Sequence, residues 1–60
     1  MNYVINSTVV NGQTVMVNCT YTLTNGYTET VDVAVFQPQT FADVLNAAHS
    51  RGLTIQSQKG

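Results

Sequence analysis

Charged side chains are scarce in this chain of 60 residues, and their scarcity excludes one class of partner. Two basic and three acidic residues give a formal net charge of −1. Proteins that bind nucleic acid draw much of their affinity from clustered Lys and Arg side chains. Arg51 and Lys59, the only cations, cannot form such a cluster. We therefore expect no nucleic-acid partner.

Cysteine and histidine are also nearly absent. Cys19 and His49 are the only residues of their types, so neither an internal disulfide nor a four-ligand zinc site can form within one chain. No glycine-rich phosphate loop and no apolar run of membrane-spanning length is present. We expect no metal, no cofactor, no small-molecule substrate and no membrane partner.

A chain of this length gains little stability from its own core, so we expect reinforcement by another chain. A domain of this size buries only about 60% of the surface that its unfolded chain exposes. Small domains usually add disulfides, a metal or a partner chain to their core. Since the first two are excluded, association is the remaining reinforcement.

Two Asn-Gly pairs, Asn11-Gly12 and Asn25-Gly26, are the strongest structural signal in the sequence. Each lies between runs that alternate apolar and polar residues, which is typical of a β-hairpin. The sequence therefore predicts a three-stranded antiparallel meander with strands at about 3–10, 13–23 and 27–36.

The turn type sets the register of these strands. A two-residue loop at Asn11-Gly12 would mix polar and apolar side chains on both faces. A three-residue loop with glycine in the left-handed position, used at both turns, pairs Ile5 with Val17 between the first two strands and Val17 with Val33 between the last two. This choice predicts that the odd-numbered residues of all three strands share one apolar face.

A helix is predicted after the third strand, at about 41–51, covering the odd face. Pro38 ends the strand, and Thr40 with Asp43 is typical of a capping box. Apolar residues then recur at helical spacing: Phe41, Val44, Leu45 and Ala48. Gly52 is interpreted as the left-handed residue that ends the helix. Alternation after it suggests a fourth strand at 53–57, which could pair with either edge of the sheet or with another chain.

Two residues are candidates for chemistry, and both are better explained structurally. His49 has an ordinary pKa near neutrality, but no acidic residue stands at a spacing that would orient its ring. Cys19 falls on the core face of the central strand with no cation to activate it, so we expect a buried and inert thiol. The sequence predicts no catalytic residue and therefore no enzyme.

The outer face of the sheet, opposite the predicted helix, has two differing ends. One end, the threonine end, carries Thr20, Thr22, Thr28 and Thr30. Threonine favours strands on a solvated face; alternatively, these hydroxyls form an array that recognises a repeating surface such as ice or glycan. The other end is apolar, and a contiguous apolar patch is typical of an interface. The residues predicted to form this interface are Val4, Val10, Met16, Ala34 and Phe36.

The sequence thus predicts one α+β domain over residues 1–60. The expected function is that of a small non-enzymatic structural or interaction protein, working as a homo-oligomer or as a bound part of a larger assembly such as a phage virion. The alternative is a small phage or bacterial regulatory or inhibitory protein that docks on a host protein through its outer sheet face or an edge strand. Without a secretion signal, the expected location is the cytoplasm of a bacterial host or the virion.

Overall fold

A computed structural model describes residues 1–60 and shows an α+β fold. The strands are β1 (Asn2–Asn11), β2 (Thr14–Thr22) and β3 (Thr28–Phe36), and the helix is α1 (Phe41–Lys59). The strands form one antiparallel sheet in the order β1-β2-β3, with the helix on one face. The predicted meander and its covering helix are confirmed.

The second hairpin has the predicted geometry. Leu23 pairs with Tyr27 through an N–H that donates to the Tyr27 carbonyl at 2.8 Å, and the Gly26 N–H donates to the Leu23 carbonyl at 3.0 Å. Gly26 has a φ of 89°, a conformation that glycine adopts without strain. The predicted pairing of Val17 with Val33 follows along the ladder.

The first hairpin differs from the prediction. Its loop has two residues, Gly12 and Gln13, between the paired Asn11 and Thr14. Only Gly12 has a positive φ, of 63°, as a type II′ turn requires at its first central position. The predicted three-residue loop is therefore wrong here. Asn11 belongs to β1. Beside the turn, each residue of β1 pairs with a residue of β2 three positions later than predicted, as Val10 does with Val15.

A β-bulge at Asn6 divides β1 into two halves. Ile5 pairs with Cys19, whereas Ser7 pairs with Asn18, so one residue of β1 is extra. Because an extra residue reverses the alternation of faces, the odd residues of β1 face the helix only before the bulge. After it, Val10 pairs with Val15 and so shares the helix-side face.

The helix begins as the sequence predicts. The Asp43 carboxylate accepts hydrogen bonds from the backbone N–H of Gln39 at 2.8 Å and of Thr40 at 3.3 Å. These bonds satisfy donors that a helix start leaves free, and the negative charge complements the helix dipole.

The predicted end of the helix is wrong, and the fourth strand at 53–57 does not exist. The helix continues through Gly52 to Lys59. Gly52 is buried because α1 crosses Tyr21 there: a Cβ atom at Gly52 would lie 2.8 Å from the Tyr21 Cε1 atom and 2.6 Å from the Met1 Cε atom. The glycine therefore permits close packing and does not end the helix.

Polar contacts anchor the last turns of α1 to the β2–β3 loop. The Gln56 side chain accepts from the Thr24 N–H at 3.2 Å and donates to the Thr24 hydroxyl at 3.0 Å. The Asn25 side chain donates to the Lys59 carbonyl at 3.1 Å. These contacts, together with the burial of Ile55, stabilise as helix a segment whose local pattern suggests a strand.

The core lies between α1 and the β2–β3 half of the sheet. Its buried members come from both layers: Val17, Cys19, Tyr21, Leu23, Val33, Val35, Val44, Ala48 and Ile55. The predicted burial of Cys19 is confirmed, since its side chain is fully inaccessible.

Candidate interaction surfaces

The outer face of the sheet has no covering element, because the only helix lies on the other face. An apolar row crosses all three strands there: Val9 pairs with Met16, and Met16 pairs with Ala34. Phe36 lies on the same face, two residues beyond Ala34, and is 70% exposed. We call these four residues the outer apolar patch.

Two of the predicted interface residues lie outside this patch. Val10 faces the helix side because of the bulge, and Val9 takes its predicted place. Val4 is on the outer face but pairs with Thr20, at the threonine end of the sheet. The predicted residues Met16, Ala34 and Phe36 do lie together. Sequence alternation missed Val9 because nothing in the local pattern marks the bulge.

A hydrogen-bonded polar network separates the outer apolar patch from the threonine end. The Asn6 amide donates to Asn18 at 2.9 Å and to Thr20 at 2.8 Å. Asn18 in turn donates to Asp32 at 2.9 Å, and the Thr20 and Thr30 hydroxyls lie 2.9 Å apart. The network links all three strands and engages two threonines of that end, Thr20 and Thr30, in cross-strand bonding.

A shallow groove of about 320 Å³ lies on the helix side, next to β1. Its floor includes Val10 and Val15, and its wall includes Phe41 and Val44. Val10 is 73% exposed and Phe41 is 62% exposed. The predicted apolar stripe of the helix is therefore only partly used by the core, because α1 lies over β2 and β3 and leaves the turn half of β1 uncovered.

The titratable side chains do not converge on a site. The structure holds no group of three or more His, Cys, Asp and Glu side chains that could bind a metal. His49 is exposed and lies beside Tyr3, with ring centroids 6.2 Å apart. Burial, followed by the proximity of Cys19, raises the pKa of the Tyr21 phenol far above its ordinary value. This phenol donates a hydrogen bond to the backbone carbonyl of Ala48 in the helix.

One ion pair joins the end of the helix to β3. The Lys59 ammonium donates to the Glu29 carboxylate, which also accepts from the Tyr27 hydroxyl at 2.9 Å. The hydrogen bond from Lys59, then that from Tyr27, lowers the pKa of Glu29, and the bond to Glu29 raises the pKa of Lys59. The arrangement is exposed and holds two elements together.

The sequence matches no protein-family model, and it has no significant match among curated proteins or solved structures. The helix α1 lacks the apolar length that crossing a membrane requires. The surfaces described above are therefore the basis for a functional proposal.

Proposed function

We propose that this protein is a small non-enzymatic structural or interaction protein, which works as an oligomer or as a bound component of a larger assembly. The observation that carries the proposal is the outer apolar patch, formed by Val9, Met16, Ala34 and Phe36. Its members come from all three strands and are contiguous, whereas isolated apolar residues on a surface are ordinary.

Energetics favour covering this patch. Full burial of an apolar side chain as large as Phe36 is worth about 1.5–3 kcal/mol. Met16 on β2 and Val9 on β1 lie on the same face and would be buried by the same contact. The low net charge of −1 offers little electrostatic repulsion between copies.

The composition favours a virion component of a phage as the kind of assembly. Thr, Asn, Gln and Val dominate a chain with few charges, a style that suits a surface packed against other proteins. The protein then resides in the cytoplasm of a bacterial host or in the virion itself.

Two charge substitutions test the proposal, Phe36→Asp and Met16→Lys. A charge in a desolvated apolar contact is destabilising by several kcal/mol, whereas it is harmless on a solvated face. Sedimentation velocity over a range of concentrations should therefore show a lower mass for both variants than for the natural protein, with unchanged circular dichroism. Thr28→Asp, on the same face at the threonine end, is the matched control and should retain the natural mass.

Equal masses for the natural protein and both patch variants, with native spectra, would remove the outer apolar patch as a contact surface. If that common mass is that of a monomer, the alternative function, a regulatory or inhibitory protein that docks on a host protein, would then be favoured. The uncovered β1 edge, which is suited to strand addition, would then be the docking surface. In this case we expect the free protein to be a soluble monomer.

A further inference from the structure

The free edge of β1 presents unpaired backbone groups at defined positions. Residues of an antiparallel strand direct their N–H and C=O groups alternately to one neighbour and to the other. At the ends of β2, the Leu23 N–H donates to Tyr27, and the Gln13 carbonyl accepts from Gln37 at 2.7 Å. The odd residues of β2 therefore bond to β3, and its even residues bond to β1.

This alternation identifies the free groups of β1. Met16 and Thr14 are even and pair with Val9 and Asn11, so Val9 and Asn11 bond within the chain. The N–H and C=O groups of the intervening residues, Thr8 and Val10, point away from the sheet. They lie in a regular stretch from Ser7 to Asn11, between the bulge and the turn.

The β1 edge lacks most of the devices that prevent strands from pairing between molecules. Natural edges are commonly protected by charged residues, proline, bulges or a covering element. β1 contains no charged residue and no proline, and its one bulge, at Asn6, leaves the stretch from Ser7 to Asn11 regular. No helix or loop covers this edge.

The opposite edge, β3, differs in charge. Asp32 stands at the centre of β3 and Glu29 lies nearer its start. Antiparallel pairing of two β3 strands about their centre would bring two Asp32 carboxylates together, and like charges placed directly opposite are destabilising. Pairing of two β1 strands brings no charges together, so the charge distribution selects β1.

We propose that β1 pairs antiparallel with β1 of a second copy, so that two three-stranded sheets join into one sheet of six strands. This pairing rests on the proposed function and identifies the partner as the chain itself. The regular stretch from Ser7 to Asn11 is centred on Val9, and a pair of identical antiparallel strands is symmetric about its centre. The two Val9 residues therefore lie opposite each other on the outer face, and Thr8 pairs with Val10 of the second copy.

The pairing connects both apolar surfaces of the chain. On the outer face, the row of Val9, Met16 and Ala34 continues into the same row of the second copy. On the helix side, the added strand lies next to Val10 at the open side of the groove, where Phe41 is also exposed. The edge contact thus reduces the exposure of side chains that the chain alone leaves in water.

A cysteine at Val9 tests the symmetry directly. Opposite residues of a non-hydrogen-bonded antiparallel pair have Cα atoms about 4.5 Å apart, within the range that a disulfide spans. We expect Val9→Cys to form a disulfide-linked dimer rapidly under mild oxidation. Val4→Cys is the matched control: Val4 is on the same strand and face and similarly exposed, 63% against 60%, but lies beyond the bulge. Equal cross-linking of both variants, or none at Val9→Cys, would overturn the proposal.

A second variant tests the backbone pairing in solution. Proline at Thr8 removes an outward N–H without removing a hydrogen bond to β2, as edge strands tolerate. Sedimentation equilibrium should show the dissociation constant of the dimer raised at least tenfold for Thr8→Pro. Should this variant not fold, Val10→Pro removes the other outward N–H at a residue outside the outer apolar patch and should have the same effect.

The masses of the variants separate this pairing from the proposed function. Phe36→Asp should lose the contacts made through the outer apolar patch and fall from the natural mass to that of the edge-paired dimer, whereas Thr8→Pro should not retain that dimer. Loss of the dimer in Phe36→Asp with retention in Thr8→Pro would overturn edge pairing and leave the outer apolar patch as the contact. A natural protein that stays monomeric at 100 times the concentration needed for detection would also overturn edge pairing, while assembly with another protein would still be testable through Phe36→Asp.

Discussion

The Tyr21 hydroxyl donates a hydrogen bond of 2.7 Å to the backbone carbonyl of Ala48, linking the central strand to the middle of the helix. Tyr21 is fully buried, as is Ala48. The bond forms because Ala48 and Gly52, one helical turn apart, have side chains small enough to let the helix approach the ring. This contact positions α1 over β2 and leaves the turn half of β1 uncovered, which exposes the groove and the β1 edge.

Tyr21→Phe should lower the free energy of unfolding by about 0.5–1.5 kcal/mol, the usual net worth of a neutral hydrogen bond. The ring and its packing are retained, and Ala48 can keep its bond within the helix. Urea denaturation followed by circular dichroism measures the change. Tyr27→Phe removes an exposed hydroxyl and is the control, with a smaller expected effect. An equal loss in both variants would show that the buried hydrogen bond contributes no more to stability than the exposed one.

Gly52→Ala should be destabilising by about 1–3 kcal/mol, as is typical of overpacking, because the added methyl group would meet the Tyr21 ring and the Met1 side chain. Helix propensity alone predicts the opposite, a gain of about 1 kcal/mol. Thermal and urea unfolding would distinguish the two. Ser50→Ala, at an exposed position of the same helix, is the control and should be neutral or slightly stabilising.

Gln37 has a φ of 50° and is the only residue other than glycine with a positive φ. The left-handed conformation is unfavourable for most residues by about 1–2 kcal/mol. Gln37→Gly should therefore be neutral or stabilising, since the relieved strain exceeds or offsets the added entropy of the unfolded chain. Gln37→Val should be destabilising. The order of the three melting temperatures checks this prediction, and a valine variant as stable as the natural protein would contradict it.

The ion pair between Glu29 and Lys59 should make stability depend on pH at both extremes. The lowered pKa of Glu29 contributes stability that is present above its ordinary value of 4.5 and is lost as the pH falls through the lowered value. The raised pKa of Lys59 contributes stability that is present below 10.5 and is lost as the pH rises through the raised value.

Unfolding measured from pH 2 to 7 should therefore show a weaker acid dependence in Glu29→Gln than in the natural protein. High salt should reduce the difference, because the pair is exposed and screened. Asp43→Asn, at the helix start, is a control that leaves the contribution of the ion pair unchanged. Identical acid profiles for Glu29→Gln and the natural protein would contradict the prediction.

Cys19 should resist thiol reagents under native conditions, because its side chain is fully buried. Labelling should follow global unfolding and speed up with denaturant. Cys19→Ser should be destabilising by about 1–3 kcal/mol, since a buried hydroxyl in apolar surroundings lacks a good partner. The introduced thiol of Val9→Cys, reduced beforehand and then freed of the reductant, is the control and should label rapidly. Comparable rates at the two positions would show that the core opens readily.

Local sequence signals predicted the second hairpin and the helix start, because their determinants are close together in the chain. Asn25-Gly26 admits the positive φ of the turn, and Leu23 and Tyr27 both favour the same pairing. Thr40 and Asp43 identify the helix start through backbone donors within four residues. Such interactions depend little on the rest of the molecule.

Tertiary contacts decided the features that the sequence predicted wrongly. Gly12 allows more than one tight turn, and the bulge at Asn6 lets Ile5 and Val10 both face the helix side, which a regular strand cannot do. A glycine such as Gly52 can end a helix or allow close packing within one. Here the helix continues, and Gly52 packs directly against the Tyr21 ring.

The sequence by itself determined an α+β meander with a capped helix, a buried thiol and an outer face that is polar at one end and apolar at the other. Only the tertiary structure decided which valine of β1 joins that apolar end, how far the helix extends and which edge stays open. The physical reason is that turns and caps depend on residues close together in the chain. Which residues of a strand face the helix, and how far the helix extends, depend on contacts between residues far apart in the chain, such as Tyr21 with Ala48.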